Sequence, residues 1–322
     1  MIKSVGSKGE FTRIKRIQDV IGRHSPRVLV GIGDDAAVVR APSAPLLLCT
    51  DAMAEGVHFD LSWATPEDLG HKSLASCLSD IAAMNGKPLY ALFSLACPKS
   101  IDTAWLESFY RGAVSLANDC EVDIVGGDLT GSKGGVFIDV VCVGEAERSS
   151  ARAGAKPGDV IAVSGTPGAS AAGLYALQHI GRKNAPPNLV EKHLRPKPRF
   201  DLLLDLNDNP GSFRAMIDVS DGLASELHHL AENSGVGIEI DEAKIPLHPD
   251  AVALAERSGV SALDWALGGG EDYELLVSFA DGAPIPEGFT VIGRVMPEVE
   301  GLSLVEPNGQ RKVLAPRGFS HF

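Results

Sequence analysis

Apolar and polar positions follow two different periods along this chain, and the switches between them mark its elements. Ile14, Ile17 and Ile21 recur at three- and four-residue spacing and predict a short amphipathic helix over residues 11–21. Residues 27–32 read as a strand running into the turn Gly31-Ile32-Gly33-Asp34-Asp35, and residues 46–50 as an apolar strand delivering Asp51 at its C-terminal end. The next helix is punctuated at both ends: Thr65 caps it, Pro66 takes the first position, Asp68 the third, and Asn85-Gly86 stops it ahead of Pro88. Its buried stripe is Leu74, Cys77, Leu78, Ile81 and Met84. A strand at 89–96, a helix at 102–118, a strand at 122–126 ending in Gly126-Gly127-Asp128 and a strand at 136–143 complete the first half.

Residues 145–158, rich in Ser, Ala, Gly, Lys and Arg, predict a boundary between two domains, 1–148 and 149–322. A strand at 160–163 then leads through Ser164-Gly165-Thr166-Pro167-Gly168 into an Ala-rich helix, and another helix is expected from about Pro198. A strand at 214–217 enters Asp218-Val219-Ser220-Asp221-Gly222, with a helix over 223–232 behind it. A strand at 236–240, helices near 249–257 and 261–267, and strands at 273–279 and 289–295 close the pattern. Short links and antiparallel neighbours predict two α+β domains with mixed sheets, not one doubly wound sheet. The dinucleotide fingerprint is missing, because Gly31-Ile32-Gly33 lacks the third glycine and runs into two carboxylates. Gly165-Thr166-Pro167-Gly168 reads equally as an anion-holding loop or as an ordinary strand-to-helix turn.

Composition narrows the function. Of 322 residues 44% are hydrophobic and 22% charged, enough to bury a substantial core without metal or disulfide staples. Lys plus Arg is 29 and Asp plus Glu 42, a formal charge of −13, which excludes a basic nucleic-acid platform. A polyphosphate fits this balance where metal ions stand between it and carboxylates. Cys49, Cys77, Cys97, Cys120 and Cys142 are odd in number and form no CxxC pair, as expected of reduced thiols in a cytoplasmic protein. The beginning, with Lys3, Lys8 and Glu10, shows no apolar leader, and no apolar run approaches the roughly 20 residues of a membrane span.

The carboxylates carry the chemistry. Asp34 and Asp35, Asp51, Asp128, Asp218 and Asp221 all fall where strands or turns are expected to end, each beside a small residue or another carboxylate. Any one of them is an ordinary turn residue, but a turn needs a single Asp side chain, not adjacent or closely repeated ones. Asp80 lies among the core positions Cys77, Ile81 and Met84, where an unpaired charge costs several kcal/mol unless a cation or partner offsets it. Lys72 or Lys87 is one such partner, and a shared divalent cation is the other. With no His/Cys set alongside, converging carboxylates favour Mg²⁺ over zinc, and the chemistry points to transfer of a phosphoryl group.

Ten segments carry a family resemblance: GIGDDAA at 31–37, CTD and GVHF within 49–59, KSLASCLSDIAAMNGKP at 72–88, GGDLT at 126–130, RAGAKPGD at 152–159, SGTPGASAAGL at 164–174, HLRPKPR at 193–199, IDVSDGL at 217–223 and GGGEDYEL at 268–275. Together they resemble the thiamine-monophosphate kinases, of the aminoimidazole ribonucleotide synthetase-like superfamily. The resemblance implies a two-domain α+β fold with a ligand cleft between the domains, and a homodimer formed through the N-terminal domains. It implies transfer from ATP to thiamine monophosphate with several Mg²⁺ ions, giving thiamine diphosphate. It further implies that Asp35, Cys49 through its backbone, Thr50, Asp51, Asp80, Asp128, Asp218 and Asp221 hold metal. Gly127, Asp128, Arg152 and Ser220 would meet ATP, and His58, Glu271 and Phe319 would meet thiamine monophosphate. Asp35, Asp51, Asp80, Asp128, Asp218, Asp221 and Arg152 would form the catalytic set, while Asp272 reads as a metal contact or a structural bond. The family more usually has Ser or Thr where this chain has Cys49.

Two other readings stand beside it. Another ATP-dependent enzyme of the superfamily, such as a ribotide cyclo-ligase, would share the fold. A selenophosphate synthetase would want a cysteine ahead of Cys49, and a hydrogenase maturation factor one in place of the final Ser320-His321-Phe322. A non-catalytic sensor of nucleotide or thiamine phosphate would lose several carboxylates, and here the Asp positions and Thr50 are all present.

Overall fold

A computed structural model describes residues 10–209 and 211–319. The expectations resting on Lys3, Lys8 and the final Ser320-His321-Phe322 lie outside the described residues. The chain divides into two compact units, one of Met1–Ile81 with Gly86–Glu147, the other of Ala82–Asn85 with Arg148–Phe322.

The first unit begins with α1 (Glu10–Ile21) and the short antiparallel pair β1 (Val28–Val30) and β2 (Val38–Val39). It continues with β3 (Leu46–Ala54), α2 (Pro66–Ala83), β4 (Lys87–Cys97), α3 (Thr103–Asp119), β5 (Asp123–Gly131) and β6 (Phe137–Glu145). Four strands make one sheet in the order β3-β6-β4-β5, antiparallel except between β4 and β5. The start of α2 is a reciprocal cap. The Asp68 amide donates to Thr65 Oγ1 at 3.2 Å, and the Thr65 amide donates to Asp68 Oδ2 at 3.0 Å. Leu74, Cys77, Leu78 and Ile81 form its buried stripe, as their spacing predicts.

Two strands overrun their expected ends. β3 continues to Ala54 because Asp51 and Met53 keep pairing with Val140 and Ile138 of β6, so Asp51 lies inside a strand instead of at its tip. β5 likewise runs through Gly126-Gly127-Asp128. Its register on β4 slips between Ala91 and Leu92, and Gly127 adopts φ 151°. A Cβ there would stand 1.9 Å from the Phe93 carbonyl oxygen, so the glycine that reads as a turn former permits a close strand contact.

The second unit contains β7 (Val160–Ser164), α4 (Ala169–His179), α5 (Pro187–Leu194), α6 (Leu203–Asp208), β8 (Phe213–Asp218), α7 (Leu223–Ser234) and β9 (Gly237–Asp241). After these come α8 (Pro249–Ser258), α9 (Ala262–Gly268), β10 (Leu275–Phe279), β11 (Phe289–Met296), β12 (Leu302–Val305) and β13 (Arg311–Val313). One seven-stranded sheet has the order β13-β12-β9-β11-β7-β10-β8, with β12 and β9 parallel. Ile161, Val163, Ile217 and Ile238 of the sheet pack with Leu223, Leu227 and Leu230 of α7 into its core. The helix expected from Pro198 is a 3-10 turn at Phe200–Leu202 followed by α6, because Pro196 and Pro198 disfavour helical backbone in the residues before them. The sequence pattern missed α5, β12 and β13, elements of eight, four and three residues that are too short to show a period. Among the described residues no helix is long and apolar enough to cross a membrane.

Candidate active site

In the first unit the sheet sets the spacing of the candidate ligands. Asp51 pairs with Val140, Val140 with Phe93, and Phe93 with Gly127, so Asp51 and Gly127 occupy one row across the sheet. Three strand spacings separate them by about 14 Å, which no single ion bridges with Mg–O bonds of about 2 Å. Asp128 pairs with Ser94, and Ser94 with Asp139, whose carboxylate accepts the Thr50 hydroxyl at 2.7 Å. Asp139 is thus a carboxylate in the row of Asp128 that the sequence reading overlooked. Asp35 is exposed, its amide donating to Asp34 Oδ1 at 2.9 Å. It lines an 860 Å³ cavity together with Gly31, Arg40, Tyr90, Gly126 and Gly127.

Cys49 presents its sulfur to the interior. Its Sγ donates to the Cys77 carbonyl at 3.3 Å and lies 3.6 Å from Cys77 Sγ. The Cys142 and Cys49 side chains, together with burial, push the Cys77 thiol up. Asp80, one turn beyond Cys77 on α2, is half-buried, and its charge adds to the rise of the Cys142 thiol that the Cys49 hydrogen bond and burial produce. It lies less deep than its place beside Cys77 and Ile81 suggests. His58 closes the turn after β3: its Nδ1 accepts the Ala54 amide at 3.0 Å, which puts the ring proton of the neutral form on Nε2.

In the second unit the structure draws separate sequence motifs onto one turn. Residues 218–222 leave β8 with Asp218 buried and Ser220 and Asp221 half-buried. The Glu271 amide donates to the Ser220 carbonyl at 2.7 Å, and the Tyr273 amide to Val219 at 2.9 Å. The Phe319 amide donates to the Asp221 carbonyl at 3.1 Å, leaving the ring 46% exposed. Ser220, Asp221, Glu271 and Phe319, far apart in sequence, are therefore tied together.

Glu226 supports the same turn from α7. Only 2% exposed, it accepts the Asp221 amide at 3.0 Å and the Ser220 hydroxyl at 3.5 Å through Oε1. Burial raises its carboxyl to about 7, helped by the Asp218 and Asp221 charges and opposed by the Asp221 amide and Arg152. Arg152 is exposed, and its carbonyl accepts the Ser234 hydroxyl at 3.4 Å. The sequence reading overlooked Glu226, although its position three residues after Leu223 and one before Leu227 places it on the buried stripe of α7.

Asp272 and Glu274 hold the loop between β7 and α4. Asp272 accepts the Gly168 amide at 2.6 Å and the Ser170 amide at 2.9 Å. Burial pushes its carboxyl up to about 7 against the pull of those two amides. Glu274 accepts the Ser164 hydroxyl at 2.6 Å and Lys192 Nζ at 3.1 Å, and pairs with Arg199. His193 Nδ1 lies 3.1 Å from Ser170 Oγ and 3.6 Å from Glu271 Oε2. Of the two meanings the sequence left open for Asp272, the structure supports the structural bond. The GGGEDYEL, SGTPGAS and HLRPKPR segments thus meet in one polar network.

Among the described residues no three His, Cys, Asp or Glu side chains already stand as a metal cage. Mg²⁺ asks for less, since it binds through one or two carboxylates and takes its remaining oxygens from water and substrate phosphates.

Family models of the AIR synthase related proteins match residues 33–146 with their N-terminal domain and residues 156–284 with their C-terminal domain. The thiamine-monophosphate kinase of Escherichia coli O157:H7 is 38% identical over 334 residues, covering 98% of each chain. That of Bacillus subtilis is 36% identical over 317 residues, covering 93% of this chain and 95% of its own. A solved structure described as AaThiL complexed with AMPPCP and TMP is 38% identical, with a TM-score of 0.80 and coverage of 98% of this chain and 97% of its own. The chain is an AIR synthase related protein of two α+β domains, and it belongs to the thiamine-monophosphate kinase family.

Proposed function

We propose that this chain transfers the γ-phosphoryl group of ATP to thiamine monophosphate, releasing ADP and thiamine diphosphate. The observation that carries the reading is near-complete coverage, at 38% identity, of a relative whose structure is described with AMPPCP and TMP. The reading also gives a use to the carboxylates of both units and to the lacing of Ser220, Asp221, Glu271 and Phe319.

The donor set fits Mg²⁺. Apart from the Cys49 thiol, which turns towards Cys77, the side chains at these positions offer oxygen, as a hard divalent cation requires. Asp35, Thr50, Asp51, Asp80 and Asp128, with the Cys49 carbonyl, would hold more than one such ion in the first unit, and Asp218 and Asp221 would serve in the second. When bound, such ions neutralise charge on the phosphates and polarise the group being transferred. Gly127, Asp128, Arg152 and Ser220 are assigned to ATP, with the Arg152 guanidinium offsetting phosphate charge. His58, Glu271 and Phe319 are assigned to thiamine monophosphate, where a carboxylate and an aromatic face suit a cationic thiazolium ring. The acceptor phosphate is already ionised near neutral pH, so positioning and charge stabilisation suffice without a strong general base.

We further infer a cytoplasmic homodimer formed through the first unit. The support for pairing is apolar surface on β3, where Leu46 is 53% and Leu48 71% exposed. Sedimentation at the mass of a monomer across micromolar concentrations would contradict pairing.

The functional test is to offer purified protein, with ATP and Mg²⁺, thiamine monophosphate, thiamine and aminoimidazole precursors in parallel. Thiamine diphosphate should form from the monophosphate alone. Turnover of a ribotide instead would favour the cyclo-ligase reading.

A further inference from the structure

Residues 270–273 form a bend that the backbone does not adopt cheaply. Glu271 has φ 63° and Tyr273 φ 52°, both left-handed and neither a glycine. Each such residue is strained and persists only where its surroundings fix it. The surroundings here are specific. The Glu271 and Tyr273 amides donate to Ser220 and Val219, and a Cβ on Gly270 would stand 2.3 Å from the Ser220 carbonyl oxygen. Between the two left-handed residues sits Asp272, 6% exposed, with one oxygen on the Gly168 amide and the other on the Ser170 amide. Gly168 has no side chain with which to cap α4, so Asp272 satisfies these donors from another part of the chain. Glu271 emerges from the bend half-buried beside His193.

We propose that Asp272 is a positioning residue for substrate binding: anchored on the Gly168 and Ser170 amides, it holds the 271–273 bend and thereby aims Glu271 at thiamine monophosphate. This rests on the reading above that Glu271 touches that substrate. Asp272 itself touches no reactant. A cap that served α4 alone would not require left-handed neighbours on both sides, whereas a peg for the bend does. The GGGEDYEL segment then divides its work, with Glu271 presented to the substrate, Asp272 fixing the bend, and Glu274 tying the segment to Lys192 and Arg199.

The test is a double-mutant cycle on the full chain with Asp272→Asn, Glu271→Gln and the double variant. Asparagine keeps the shape but offers one carbonyl oxygen, so one of the two amides faces an NH₂ group instead of an acceptor. Glu271→Gln alone should raise KM for thiamine monophosphate about tenfold while KM for ATP changes less than about twofold. Asp272→Asn should do the same, and in the Glu271→Gln background its further effect should fall below about twofold, because it acts through the residue already altered. If the two effects multiply, or if Asp272→Asn lowers the melting temperature without touching KM, Asp272 is a plain helix cap and the proposal is wrong. If Glu271→Gln leaves KM for thiamine monophosphate unchanged, the assignment of Glu271 to the substrate fails, and the proposal with it. Should Asp272→Asn not fold, Asp272→Ser, whose hydroxyl still accepts one amide, carries the same cycle and the same criteria.

Discussion

Glu226 accepts the amide of Asp221 from beneath the turn that carries Asp218 and Ser220, so its contribution is one of geometry. Glutamine retains a carbonyl oxygen for that amide and alanine does not. We expect Glu226→Ala to lower kcat at least about tenfold and Glu226→Gln less than about threefold, since stranding a buried donor costs about 1–3 kcal/mol. Equal losses in initial-rate assays of the two variants would show that the charge, not the acceptor, matters. Asp80 makes the opposite case, because there the charge itself is the proposed function. Asp80→Asn should reduce turnover by about 10²–10³-fold, the usual cost of removing one preorganised electrostatic group from a reaction centre. Without metal the variant should melt no lower than wild type, because no bound cation then offsets the cost of holding a half-buried charge. Lower stability with unchanged kcat over a Mg²⁺ titration would make Asp80 a structural ion-pair residue. Asp80 was legible in the sequence because a carboxylate interrupts an apolar stripe. The same pattern marks Glu226 between Leu223 and Leu227, where the Asp-Gly turn ahead of the helix is the stronger local signal.

At the scale of elements, helix ends fall close to those expected, whereas two strands, β3 and β5, run past theirs. α2 shows why: Thr65, Pro66 and Asp68 form a local cap whose chemistry is complete within four residues. Strand ends are set by partners that local sequence does not contain. Asp51 and Asp128 resemble turn residues, yet β6 and β4 carry their ladders past both. Gly127 reads in the sequence as the end of a strand, whereas in the structure it permits a close contact within one. Its role predicts that Gly127→Ala lowers the melting temperature by several degrees, since φ 151° and the Phe93 carbonyl leave no room for a methyl group. An unchanged melting temperature by differential scanning calorimetry would mean that β5 relaxes there without cost. Glu274 and Arg199 lie in the GGGEDYEL and HLRPKPR segments and Lys192 directly ahead of the second, but their pairing depends on the folded sheet and α5 and is not readable from sequence.

For the molecule as a whole, buried carboxylates link stability to pH. Asp272 has an ordinary value of 3.8 and is raised to about 7 by burial. An acid raised on folding contributes stability that is complete below its unfolded value and is lost as pH rises through the folded one. The melting temperature of wild type minus that of Asp272→Asn should therefore be larger at pH 5 than at pH 8. A difference that stays the same from pH 5 to pH 8 would mean the two amides outweigh burial and hold Asp272 as an anion throughout that range. With a formal charge of −13, the whole chain suits a reaction in which cations mediate contact with polyphosphate. Composition and the acidic motifs led as far as metal-assisted phosphoryl transfer. The name of the acceptor came from resemblance, because the residues assigned to it are single side chains without a periodic signature. The most direct measurement is a single turnover with γ-labelled ATP, thiamine monophosphate and Mg²⁺, followed by separation of the products. The account predicts label in the terminal phosphate of thiamine diphosphate, with one ADP formed for each. AMP as the nucleotide product, or labelled inorganic phosphate without labelled thiamine diphosphate, would contradict it.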